Sequence, residues 1–212
     1  MGVRKMENFL KKYLLSIFVL IFLHGCAATP NKRVNDVPVS KSKDWIPTEN
    51  YEKLRNDLGS SADFFNICEL DRPTSQMAKS MNDGNWSKAI DIGKNWINQC
   101  PIDIRVHHYL GISYEKTENH AEAKKHFRWF KGLMDLIAKS GDGKTPETAY
   151  VTVSITEEYD ALYYFGLRKK TQTLVSGDIV CDKIVAVNDK GDEFEIYFNP
   201  QAHFERLNKM FK

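Results

Sequence analysis

Gly132-Leu-Met-Asp-Leu-Ile-Ala-Lys-Ser-Gly-Asp-Gly-Lys-Thr-Pro-Glu-Thr-Ala-Tyr150 is where the period of the chain changes. Before it, apolar residues recur every three or four positions, as on one face of a helix. After it they alternate, as on a strand. The expected fold class is therefore α+β, with a helical region over residues 48–139 packed on a small domain over residues 140–212. Ser140-Gly-Asp-Gly143 is the joint. It reads as a helix C-cap, with Gly141 in the left-handed conformation and Lys139 at the negative end of the helix dipole.

Downstream of the joint the elements run in the order β-α-β-β-β-α. Thr148–Ser154 alternates and is β-branched, so it reads as a strand. Thr156–Phe165 reads as a helix, with Thr156 as N-cap and Glu157, Glu158 and Asp160 near the positive end of its dipole. Lys170–Ser176, Ile179–Val187 and Glu193–Phe198 are the remaining strands, and Asn188–Asp192 is a hairpin turn. Pro200–Phe211 closes the chain as a helix, capped by Asn199.

Upstream, Tyr51, Leu54 and Leu58 mark a first helix with Asn50 as cap. Two related segments follow. Leu110, Gly111, Tyr114, Ala123 and Phe127 keep a spacing that resembles the tetratricopeptide repeat, and Ala89 stands thirty-four residues before Ala123. The resemblance implies two helical hairpins, over residues 70–103 and 104–137. Gln76, Met77 and Ser80 stand in the first copy where the family has Leu, Gly and Tyr, so that copy is degenerate or capping. Two repeats are fewer than the roughly three that usually stand alone, so something must cover the open end. The C-terminal half is the expected cover.

The front end is a targeting segment. Arg4, Lys5, Lys11 and Lys12 precede an apolar run, Leu14–Leu23, of ten residues. That run is too short for a bilayer core, which needs about 20 residues. Leu23-His-Gly-Cys26 resembles the lipobox of bacterial lipoproteins. The resemblance implies a signal peptide over residues 1–25, acylation of Cys26, and a flexible tether over residues 26–47. Ala27 and Ala28, without an Asp, resemble the export signal for the outer membrane, facing the periplasm. The whole chain has a formal charge of +2, but four of its 30 basic residues and only one of its 28 acidic residues fall within residues 1–25. The remaining 26 basic and 27 acidic residues leave no basic excess for nucleic acid.

Once Cys26 is acylated, three thiols remain in an oxidising compartment, enough for one bridge. Cys68 precedes the first hairpin and Cys100 ends it. A hairpin returns its end to the side of its start, so Cys68–Cys100 is the expected disulfide and Cys181 the free thiol.

Ser140–Tyr150, Glu157-Glu-Tyr159, Gln172-x-Leu174 and Ile196-Tyr-Phe-Asn199 together resemble an uncharacterised bacterial domain family. The resemblance covers about residues 70–211 and implies an architecture without an activity.

No complete catalytic motif occurs. Gly141-Asp-Gly-Lys-Thr145 lacks the first Gly of a phosphate loop and sits between a helix and a strand. His107, His108, His120 and His126 share the second hairpin without zinc spacing, so no metal and no cofactor are expected. His107 is expected to pack. Asp142, Glu147, Glu157 and Glu158 crowd the junction and read most simply as solvated acids of a helix start. Tyr109, Tyr114, Trp129 and Phe130 are candidates to line a peptide groove. The expected function is that of a tethered envelope lipoprotein binding a protein or peptide. The alternative is an envelope enzyme or small-ligand binder, with a site at the junction built from Asp142, Lys144, Glu157, Glu158 and Tyr159.

Overall fold

The structure is a computed structural model, and it describes residues 50–210. The expected signal peptide, Cys26 and the tether lie outside the described residues.

Five consecutive helices come first: α1 (Tyr51–Gly59), α2 (Thr74–Asn82), α3 (Trp86–Ile97), α4 (Ile104–Lys116) and α5 (His120–Ser140). A short π-helical turn, Phe65–Glu69, stands between α1 and α2. β1 (Tyr150–Val151), α6 (Ile155–Tyr164), β2 (Arg168–Val175), β3 (Cys181–Val187), β4 (Glu193–Asn199) and α7 (Gln201–Met210) follow. The fold is thus mixed α+β.

Polar caps start most of these helices. The side chains of Asn50, Asn85, Asp103, Asn119 and Ser154 each accept a backbone N–H three residues on, satisfying a donor the helix leaves open. Ser154, not Thr156, is therefore the cap of α6. Thr156 instead donates its hydroxyl to Glu69.

Helices α2 to α5 pack as two hairpins, with Ala89 and Ala123 fully buried. Two glycines permit the close crossings. A Cβ on Gly93 would stand 2.6 Å from Met77, and one on Gly111 would stand 2.6 Å from the Phe127 ring. α1 lies on α5, with Tyr51 edge-on to Trp129 at 4.5 Å.

The sheet order is β1-β4-β3-β2. β1 pairs with β4 in parallel, whereas β4, β3 and β2 are joined as antiparallel hairpins. One core cluster runs from Tyr51 and Met77 through Leu110 and Leu133 to Ile184, Ile196 and Phe198. The helical half and the sheet half therefore share their apolar interior.

β1 is shorter than the alternation of residues 148–154 predicts. The competing demand is for the backbone groups around it. Ser140 takes the N–H of Val151, Arg55 takes its C=O, Glu157 takes the N–H of Val153, and Arg206 takes the C=O of Val153. Side chains thus replace a longer strand pairing.

The joint also differs from expectation. Gly141 is extended, at φ −175°, and the left-handed residue is Gly143, at φ +66°. Asp142 and Gly143 both donate their N–H groups to Thr148 O, and Gly143 O accepts from Tyr197 N, which stitches the loop to β4. Gly141 is needed for close approach rather than handedness. A Cβ there would lie 2.3 Å from Thr148 O and 2.6 Å from Ala149 O.

Candidate functional site

The titratable groups worth weighing gather around α6. Its acids follow helical spacing, so Glu157 and Asp160 leave on one side and Glu158 on another. Glu157 and Glu158 are not solvated at a helix start as expected, for both are buried, as is Asp160.

Glu157 faces α1. Arg55 donates to it through Nε at 2.8 Å and Nη2 at 2.7 Å, and Val153 N donates at 2.7 Å. This bidentate pair closes the helical half onto the start of α6.

Asp160 faces the hairpins. Arg72 and Arg105 both reach it, the latter at 2.6 Å. Arg72 also donates to both carboxylate oxygens of Asp103, at 2.7 and 2.6 Å. Asp103 in turn caps α4 and accepts from Trp96 Nε1 at 2.8 Å. The Arg72 guanidinium and its companion hydrogen bonds hold the Asp103 carboxyl below its usual range despite full burial. A cavity of about 30 Å³ borders Arg72, Asp103, Asp160 and Glu157.

Glu158 faces the sheet, at 0% exposure. Its neighbour is another acid, Asp182 on β3, itself only 5% exposed. Gln172 donates a long bond of 3.5 Å to Oε2, and Oε1 has no partner. Burial, then the Asp182 charge, push Glu158 up to about 9, so it carries its proton at neutral pH. Tyr159 lies beside it, donating to Gln172 Oε1 at 2.5 Å and accepting from Lys169 Nζ at 2.8 Å.

The expected junction site is only partly assembled. Glu158 and Tyr159 share Gln172 as a partner. Glu157 is committed to Arg55 on the other side of the helix. Asp142 and Lys144 pair with each other at 3.0 Å in the joint, where Asp142 also accepts from Thr148 at 2.6 Å. Those two belong to the loop rather than to the acids of α6.

The four aromatic candidates for a peptide groove are largely spent within the fold. Trp129 stacks on His107 at 5.0 Å, Tyr114 stacks on His126 at 5.5 Å, and Phe130 meets His108 and Tyr164. Tyr109 is half-buried beside them. His107 does pack: its Nδ1 lies 3.0 Å from Nδ1 of His126, and its Nε2 lies 2.8 Å from Pro101 O. Burial lowers His107 to about 4 and His126 to about 3, so both are neutral at physiological pH. Among the described residues, no three His, Cys, Asp or Glu gather in a way that would hold a metal ion. Cys68 and Cys100 are bonded, with Cα atoms 5.1 Å apart, and Cys181 is a buried free thiol.

The residues that sequence reasoning missed are the buried counter-charges. One signal was present. Arg55 stands four residues from both Tyr51 and Gly59, in the stripe that α1 buries. A cation in such a stripe calls for a buried acid. Nothing local marked Asp182 as the neighbour of Glu158.

A chain with two helical hairpins, an α6 that bridges them to a four-stranded mixed sheet, and acids buried on both sides of that bridge is an α+β protein of one shared core. It belongs to the family described as "Domain of unknown function (DUF4919)", which matches residues 62–208. No curated protein and no solved structure matches it.

Proposed function

We propose that this chain is a lipid-anchored protein of the cell envelope, tethered through Cys26, facing the periplasm from the outer membrane. Its tetratricopeptide-like hairpins serve as a binding or scaffold module for a protein or peptide. The observation that carries this reading is a difference between the two hairpins at matching positions. In the second hairpin, Leu110, Ser113 and Tyr114 are buried. Thirty-four residues earlier stand Gln76, Lys79 and Ser80. Gln76 and Lys79 are exposed and Ser80 is buried, and all three line an open groove of about 290 Å³ with Asp83, Asn85, Lys88 and Ile92.

The groove is formed by α2 and α3 and their turn alone, while the C-terminal half, the expected cover, packs against α4 and α5 of the second hairpin. The end of the array is polar instead, and it suits a polar segment of a partner. The face of α4 is already taken: α6 sits on it through Asp160 on Arg105 and Tyr164 on His108. The Cys68–Cys100 bridge is in keeping with an oxidising compartment.

A photo-crosslinking residue at Lys79 or Lys88, in the full chain in native envelopes, tests the binding role. The expected result is a discrete adduct with one partner, absent when the label is moved to Lys190 in the hairpin turn. Equal labelling at all three positions would exclude the groove. Cys26→Ser tests the anchor: the protein should leave the membrane or remain unprocessed, and normal processing with membrane retention would exclude lipidation.

The alternative small-ligand site reduces to Glu158 and Tyr159 with Gln172, favoured by the unpartnered Glu158 Oε1. A ligand there would shift the Glu158 titration, which carboxyl NMR reads directly.

A further inference from the structure

The sheet ends on β2, whose outer edge pairs with no strand among the described residues. An open edge offers a row of unpaired N–H and C=O groups, and proteins usually blunt it with bulges, lysines or proline. The two halves of β2 are treated differently. Arg168-Lys-Lys170 carries three cations, and the register slips between Lys169 and Thr171. Thr171-Gln-Thr-Leu-Val175 has no charge, no proline and an unbroken register against β3. Three of its five residues are β-branched, and Leu174 is 54% exposed. The first half is guarded and the second is open.

We propose that Thr171–Val175 is a self-pairing edge: two copies of the chain join antiparallel about a two-fold axis at Thr173, making one continuous eight-stranded sheet. Thr173 is the centre of the regular stretch, so pairing there keeps all five residues of each copy in the ladder. It sets Thr173 beside Thr173 of the second copy, Gln172 beside Leu174, and Thr171 beside Val175. Thr–Thr and β-branched pairs are favourable cross-strand neighbours.

The charges at the two ends suit this arrangement. Arg168 and Lys170 are answered within the chain by Asp189 and Glu193. Lys169 is the surplus cation, resting on the Tyr159 ring. At the other end, the turn after β2 carries Asp178, which is exposed and has no ion pair among the described residues. Antiparallel pairing brings Lys169 of each copy towards the turn that carries Asp178 of the other. Parallel pairing would place the two cationic ends side by side. A closed two-fold contact of this kind also uses up both edges, so it stops at two copies. Five residues a side make a small interface, so the association is expected to depend on concentration.

The test uses the full chain in detergent. Thr173→Cys should give a covalent dimer on mild oxidation, while Lys190→Cys in the exposed hairpin turn should not. Sedimentation equilibrium should show a reversible dimer, and Leu174→Lys should raise its dissociation constant at least about tenfold with an unchanged melting temperature. Three results would overturn the proposal. The first is a parent that stays monomeric at every concentration with no Thr173→Cys bridge. The second is a Leu174→Lys dimer that remains intact, which places the contact elsewhere. The third is a Thr173→Cys bond to a different protein, which makes the edge a site for another chain.

Discussion

The two sides of α6 handle buried acid in opposite ways. Towards the hairpins, Glu157 and Asp160 meet Arg55, Arg72 and Arg105, and Asp103 joins through Arg72. Each charge there is answered by an arginine. Towards the sheet, Glu158 meets Asp182, and Lys169, a nearby cation, is turned to Tyr159. Charge is avoided there by keeping a proton. Two adjacent glutamates on one helix thus differ through what the rest of the chain brings to each. The matched side is a clamp that any single deletion should open. The acid–acid side is a local cost that a neutral substitute should relieve.

Asp103→Ala should have the largest effect. It removes the N-cap of α4, the acceptor for Trp96, and one of the two acids on Arg72. Breaking one partner of a buried pair typically costs about 3–5 kcal/mol. Urea unfolding of the variant reads this directly, and a loss below about 1 kcal/mol would mean that the clamp is not stabilising.

Arg55→Ala should cost somewhat less, on the order of 3 kcal/mol, because it strands Glu157. Replacing both partners, as Arg55→Met with Glu157→Met, should recover most of that loss, since two apolar side chains leave no orphaned charge. A double variant no better than the single one would show that the pair itself, rather than its mismatch, carries the stability.

Gly141→Val probes the joint between the two halves. Its new Cβ would press on the carbonyls of Thr148 and Ala149, and overpacking of this kind costs about 1–3 kcal/mol. The test is a thermal melt, with an unchanged midpoint as the contrary outcome.

Glu158→Gln is the smallest change and the only one of opposite sign. A folded carboxyl raised to about 9 holds a proton that the unfolded chain releases near its ordinary value of 4.5. Its stabilising contribution is complete below the unfolded value and is lost as pH rises through the folded one. The parent should therefore weaken from about pH 6.5, where the buried histidines no longer offset it, towards pH 9. The glutamine variant should lack that slope and be more stable by on the order of 1–2 kcal/mol near pH 8. The Arg-matched side runs the other way, because Asp103, held below its usual range, loses its contribution as pH falls through its folded value. His107 and His126 add to that acid limb. Their folded values lie below 6.5, so their contribution is present above the unfolded value and lost in acid. A parent whose stability does not fall from about pH 6.5 to 9 would contradict the acid–acid half, and one whose stability does not fall as pH drops below about 4 would contradict the Arg-matched half.

Much of the architecture was legible because its causes are local. The period change at Ser140–Tyr150 depends on neighbours a few residues apart, as does the cap at Asn50. The alternation that places β2, β3 and β4 within about two residues of their spans is local in the same sense. The expected strand at Thr148–Ser154 shrank to Tyr150–Val151 because Arg55, Glu157 and Arg206 claim its backbone, and the two arginines are far away in sequence. Gly141 was assigned the wrong backbone because a C-cap pattern does not reveal which of two nearby glycines turns left-handed.

The chain's own order of residues was enough for the α+β division, the helical spacing of Ala89 and Ala123, and the placing of Cys68 and Cys100 at the two ends of one hairpin. It was not enough for the site. Glu157 meets Arg55, 102 residues away, and Glu158 meets a β3 acid. The parallel pairing of β1 with β4 and the open half of β2 likewise exist only after distant elements have packed. Burial and counter-charge are properties of assembled surfaces, and no local pattern of side chains encodes which surface a residue will meet.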